Sequence, residues 1–164
     1  MSINRVTIHC SVTPNGKDID WREIDKWHRA RRFRKIGYHY LLQPSGHVDS
    51  YASTNGGMRA LNEAGAHVKN YNKDSFGNIN VGICMIGNDK FTTNQFYKLR
   101  ETIVSLRQSY NFNKYDVWCH YEFYRLQSKK PKKSCPNMRI GQLLLFLENN
   151  DISMVSEYIH KPKL

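Results

Sequence analysis

The chain has 164 residues, 40% of them hydrophobic and 24% charged, which suits one domain with a sizeable core. No apolar run approaches the roughly 20 residues of a membrane span, so no membrane-embedded role is expected. The formal net charge is +11, from 25 Lys and Arg against 14 Asp and Glu; this favours an anionic partner: nucleic acid, a membrane surface or an anionic cell wall. No helix-turn-helix, zinc-finger or RNP pattern is present, so direct nucleic-acid binding is not expected.

In chain order, residues 5–10 read as a buried strand. A loop with Pro14, Asn15 and Gly16 follows. Asp20 caps a helix with Glu23 three residues on, and Trp21, Ile24 and Trp27 recur at helical spacing. The helix runs out near Arg31 or Arg32, and its arginines and Lys26 form a solvated face. Residues 36–42 are a second strand with aromatic and β-branched bias. A turn at Pro44-Ser45-Gly46 returns residues 47–51 as its hairpin partner. Residues 52–74 form a long Gly- and Asn-containing loop, of the kind that lines a site. Residues 80–87 are apolar on both faces, as in a central strand.

Thr92 and Gln95 form a capping box. They open a helix whose inner stripe is Phe96, Leu99, Ile103, Leu106 and Tyr110. Residues 115–120 form another strand. Residues 138–148 form a helix striped by Ile140, Leu144 and Leu147. Strands alternating with helices imply an α/β fold, a single domain with a central mixed β-sheet flanked by helices. The domain spans residues 1–150, and residues 151–164 form a C-terminal tail whose structure the pattern does not reveal.

His120 and Cys135 flank a basic loop, Lys129-Lys130-Pro131-Lys132-Lys133. Both suit a borderline-soft cation such as zinc. Their spacing is too wide for a zinc knuckle, so only the fold can bring them together. His9, in Val6-Thr7-Ile8-His9-Cys10, is the best third ligand. Three protein ligands with one open position is the pattern of a catalytic zinc. Taken singly, a strand His is more often a hydrogen-bonded core residue and a lone Cys a small hydrophobe. Cys10 and Cys119 adjoin candidate ligands. Strand neighbours face opposite ways, so if His9 and His120 face a cleft those two cysteines face the core. The four cysteines are expected to be thiols.

Ile8-His9-Cys10-Ser11, Ile36-Gly37-Tyr38-His39-Tyr40, Gly65-Ala66-His67, Val81-Gly82-Ile83-Cys84, His120-Tyr121-Glu122 and Lys133-Ser134-Cys135-Pro136 occur in an order seen in one family. The chain resembles the type 2 N-acetylmuramoyl-L-alanine amidases, especially the small phage lysozymes of the T7 type. Peptidoglycan recognition proteins share that fold. The resemblance implies one Zn2+ per chain on His9, His120 and Cys135, in a zinc cleft on one edge of the sheet. It also implies Tyr38 and Lys133 as the catalytic pair, with His67 and Asn72 lining the substrate cleft. Amide hydrolysis needs an activated water, a polarised carbonyl and a stabilised oxyanion. On this resemblance Lys133, two residues before Cys135, would be the cationic oxyanion donor, and the Tyr38 hydroxyl would orient the water, share the oxyanion or pass a proton. Lys132 competes with Lys133, because the segment before Cys135 is longer and more basic than in the T7-type enzyme.

The implied activity is hydrolysis of the amide between N-acetylmuramic acid and the L-alanine of the stem peptide. The partner would be peptidoglycan and the enzyme a monomer. Because residues 1–6 lack a signal-peptide core, the chain is expected in the host bacterial cytoplasm before release to the wall. Two other roles compete. One is a non-catalytic peptidoglycan-binding module, which would be expected to lose a zinc ligand. The other is a regulator that also binds phage RNA polymerase, as the T7-type relative does.

Overall fold

The computed structural model describes residues 3–68, 80–125 and 134–162. Five strands form one sheet in the order β3-β2-β4-β1-β5. These are β1 (Val6–Cys10), β2 (Tyr40–Leu42), β3 (Val48–Asp49), β4 (Val81–Met85) and β5 (Val117–Cys119). β2, β4, β1 and β5 run parallel, and β3 returns antiparallel along β2. The sheet is therefore mixed, with the hairpin at its edge. β1 and β4 are buried along their whole length, as befits inner parallel strands covered on both faces.

The two faces carry separate cores. Val6, Ile8, Cys10, Val81, Ile83 and Met85 join the larger one. It is closed by Phe96, Leu99, Ile103 and Leu106 of α2 (Thr93–Tyr110) and by Leu143, Phe146 and Leu147 of α4 (Ile140–Asn149). Leu41, Cys84 and Ile86 join the smaller core with Ile24 of α1 (Trp21–Ala30). The architecture is three-layered, with α1 on one face and α2 and α4 on the other. The strand alternation that sends Ile8 and Cys10 to the larger core sends His9 to the face covered by α1.

The Thr92–Gln95 capping box forms in both directions. The Asp20 start is simpler than expected. Asp20 accepts from the Arg22 N–H, whereas the Glu23 carboxylate accepts from Trp27 Nε1 at 2.8 Å. Trp27 therefore leaves the expected inner stripe and stands 39% exposed. Tyr110 likewise lies outside the core, as the last residue of α2. The inner stripe of α4 is Leu143, Phe146 and Leu147, rotated from the expected Ile140, Leu144 and Leu147; of these only Leu147 is fully buried. An all-apolar run leaves that rotation open until a partner surface sets it.

The second strand is shorter than its apolar run, because residues 36–39 are held by loop contacts before the ladder begins. A four-residue helix, α3 (Glu122–Arg125), follows β5. Residues 151–162 pack on the same larger core. Val155 is fully buried, and the Tyr158 hydroxyl accepts from the Arg139 N–H and donates to Gln142. Phe91 pairs with Ile159 as an isolated bridge. Among the described residues no helix is long and apolar enough to cross a membrane.

Candidate metal centre and cleft

The site lies at the carboxyl ends of the parallel strands, where loops leaving an α/β sheet open a crevice. His9 is the fourth residue of β1. The Ile8–Cys119 register and the His120 N–H to Ile8 carbonyl bond at 3.1 Å carry β5 one residue further. Cys119 belongs to the larger core, so His120 falls on the face of His9. The two imidazoles stand with ring centroids 4.4 Å apart. Cys10 and Cys119 both join the core, as strand alternation requires.

Cys135 comes from a turn pinned at several points. The Tyr121 N–H donates to the Cys135 carbonyl at 3.1 Å, tying the Cys135 turn to the residue after His120. The Asn137 amide donates to the Asn88 carbonyl at 2.8 Å, anchoring the turn to the loop after β4. Cys135 Sγ accepts from the Cys10 N–H at 3.2 Å. The Cys135–Pro136 peptide is cis. With the turn tied to Tyr121, Asn88 and Cys10, Cys135 Sγ and one ring nitrogen each of His9 and His120 lie within 4.8 Å of one another. Ligand atoms around a tetrahedral zinc stand roughly 3–4 Å apart, so the donor types suit that ion and the set would close by about an ångström around it. Contact with the Cys10 thiol and burial both push the Cys135 thiol well above its ordinary range. A cation bound beside it would favour its thiolate.

Tyr38 packs its ring between two imidazoles, 5.2 Å from His9 and 5.2 Å from His28 by centroid. Burial, then the neighbouring thiols of Cys84, Cys135 and Cys10, raise its phenol well above the usual value. The hydroxyl therefore keeps its proton and acts as a donor. Gly37 sets this position. Its carbonyl accepts from the Ala66 N–H at 3.0 Å, and a Cβ at Gly37 would overlap the Ala66 carbonyl. That approach, possible only for glycine, brings Tyr38 and His67 to the same wall of the cleft.

His67 lies in the cleft wall and is 8% exposed. Its Nδ1 meets His9 Nε2 at 3.0 Å, and its Nε2 donates to the Asn80 carbonyl at 3.1 Å. Burial, followed by the His39 charge, lowers its pKa to about 3, so the ring is neutral. Asn72, Lys132 and Lys133 lie outside the described residues.

The cleft has a volume of about 520 Å³. Sequence reasoning missed its outer wall, formed by Val12, Trp27, His28, Arg31, Phe33 and Val68. The one available signal was the pairing of Trp27 and Arg31 four residues apart on an otherwise charged helix. His28 is neutral as well, lowered to about 4 by burial and then by Arg31. Its Nδ1 accepts from the Gly37 N–H at 2.9 Å.

Residues 1–138 match the family model described as N-acetylmuramoyl-L-alanine amidase. The chain belongs to the N-acetylmuramoyl-L-alanine amidase family. It is accordingly an enzyme that acts on peptidoglycan. The match takes in His9, Tyr38, His67, His120 and Cys135. The chain is 30% identical over 115 residues to the endolysin of Klebsiella phage KP32, covering 65% of this chain and 68% of that protein. It is 30% identical over 117 residues to the endolysin of Escherichia phage T7, covering 66% and 70%. Among solved structures, the amidase LysC from Clostridium intestinale superposes with a TM-score of 0.68 at 21% identity, over 90% of this chain and 86% of that one. A Drosophila peptidoglycan recognition protein, PGRP-LB, superposes with a TM-score of 0.61 at 20% identity, over 99% and 86%. Both structures share the amidase fold described above.

Proposed function

We propose that the chain is a zinc-dependent, endolysin-like amidase that hydrolyses the bond between N-acetylmuramic acid and the L-alanine of the stem peptide. The observation that carries this reading is the convergence of His9, His120 and Cys135 to within 4.8 Å at the wall of an open cleft, in a chain of this family. A bound zinc would polarise the scissile carbonyl and lower the pKa of an attacking water to roughly 7.

The chain's own residues do the rest. His9 and His120 would hold the ion through one ring nitrogen each, and Cys135 would offer its sulfur, which accepts from the Cys10 N–H. Tyr38 presents a protonated hydroxyl beside His9, suited to orient the water or donate to the oxyanion. Lys133 supplies the cationic donor for the oxyanion on this reading, from the position two before Cys135. The net charge of +11 would hold the enzyme near an anionic wall. Synthesis in a host bacterial cytoplasm, followed by release to the wall, completes the proposal.

The deciding experiment is digestion of purified peptidoglycan with and without chelator. New L-alanine amino termini should appear without new reducing sugar ends, and only when metal is present. Reducing ends would indicate a glycosidase working through paired carboxylates. Chelator-resistant release of amino termini would remove zinc from the mechanism.

A further inference from the structure

We infer that His67 is a positioning residue for the metal centre: it accepts the Nε2 proton of His9 and so turns the Nδ1 of His9 to the ion. This inference rests on the metal reading of the site.

The direction of the hydrogen bonds carries the argument. The Asn80 carbonyl can only accept, so the His67 Nε2 that lies 3.1 Å from it carries the proton. In a neutral imidazole the other nitrogen is then an acceptor. That nitrogen, His67 Nδ1, sits 3.0 Å from His9 Nε2. His9 Nε2 is therefore the donor of the pair and has no lone pair to give a cation. His9 must offer Nδ1. Metal-bound histidines commonly donate their second N–H in this way, to a partner that fixes both tautomer and ring angle.

The relay starts from backbone. Asn80 is fully buried and immediately precedes β4, so its carbonyl is held by the sheet that also carries His9. The His67 ring is seated by two glycines. A Cβ at Gly82 would stand 2.6 Å from the ring, and one at Gly65 would overlap it. His9 and His67 meet edge to face, with centroids 5.0 Å apart and planes at 84°. The ring is thus confined on the sheet side, on the loop side and by His9. Its exposure of 8% and the engagement of both nitrogens suit orientation of a ligand. They leave little of the ring for peptidoglycan.

The test is zinc affinity, read by competition with a chromophoric chelator. The proteins are the parent, His67→Phe and His67→Gln, with each fold checked by thermal melting after metal removal. Phe keeps a flat ring in the seat but neither hydrogen bond. Its zinc dissociation constant should rise about 10- to 100-fold. Gln can accept from His9 and donate to Asn80, so it should recover most of the affinity. Long-range proton–nitrogen correlation of the zinc-loaded parent provides a readout that needs no variant. It should show His9 protonated at Nε2 and coordinated through Nδ1.

Parent-like zinc affinity in a folded His67→Phe would overturn the inference. So would an equal loss in the Phe and Gln variants, or coordination of His9 through Nε2. A parent that takes up no zinc would refute the metal reading itself, and the inference with it. A zinc-replete parent with an unaffected Phe variant would refute only the relay.

Discussion

The backbone N–H of Cys10 donates to the sulfur of Cys135 at 3.2 Å, joining the end of the first strand to a turn 125 residues later. A donor aimed at sulfur favours the thiolate, the form that binds zinc. The purified chain should carry one zinc. Cys135→Ala should lose it, because two imidazoles alone leave a weak site. Zinc should raise the melting temperature of the parent, since a ligand bound only by the folded state stabilises it by mass action. That rise should vanish in Cys135→Ala. Full zinc occupancy in the variant, by elemental analysis, would remove Cys135 from the ligand set.

Tyr38→Phe isolates the hydroxyl. The ring contacts with His9 and His28, both at 5.2 Å, are available to Phe as well. Zinc content and melting temperature should therefore hold, while kcat falls by roughly 100-fold or more if the hydroxyl acts in the transition state. Unchanged kcat in zinc-replete protein would confine Tyr38 to packing.

Lys133 and Lys132 are separated by the same logic. Lys133→Ala should retain zinc and lose on the order of 100-fold in kcat with little change in KM, because an oxyanion donor acts mainly in the transition state. Lys132→Ala should produce a small, salt-sensitive effect on wall binding. A large loss in Lys132→Ala, with Lys133→Ala near the parent, would move the role by one residue.

His39 makes stability depend on pH. The Gly82 N–H donates to its Nδ1 at 3.0 Å, and its Nε2 donates to the Glu63 carbonyl at 3.0 Å. Burial lowers its pKa from 6.5 to about 4. The unfolded chain therefore takes up the proton first as pH falls. Stability is fully present above the unfolded value of 6.5 and is lost progressively as pH drops toward about 4. The whole effect is about 3 kcal/mol. His28 acts in the same direction. Denaturant midpoints across that window should fall more steeply for the parent than for His39→Gln. Equal slopes would show that His39 does not titrate on unfolding.

Gly37→Ala tests the close approach that places Tyr38 and His67. The added Cβ would overlap the Ala66 carbonyl, forcing the two segments apart. A loss of about 1–3 kcal/mol in stability is expected, as for other overpacked sites. Activity should fall beyond what the stability loss explains, because both cleft residues shift. Parent-like stability and activity would show that the segment yields without cost.

Periodicity alone determined most of the framework. The buried strands around His9 and at β4, the hairpin after Leu42 and the capped α2 were legible because their patterns are local. So was the placing of Cys10 and Cys119 in the core opposite His9 and His120, since strand alternation needs no partner to be known. The donor types of His9, His120 and Cys135 were legible as chemistry. Their meeting was not, because it depends on β1–β5 register and on a turn anchored to Tyr121, Asn88 and Cys10. The rotation of α4 and the escape of Trp27 to the cleft rim were settled by packing surfaces and by the Glu23 carboxylate. Only the tertiary structure decided what His67 touches. Its two nitrogens are claimed by His9, 58 residues away, and by Asn80, 13 residues away, and long-range hydrogen bonds of that kind leave no period in a sequence.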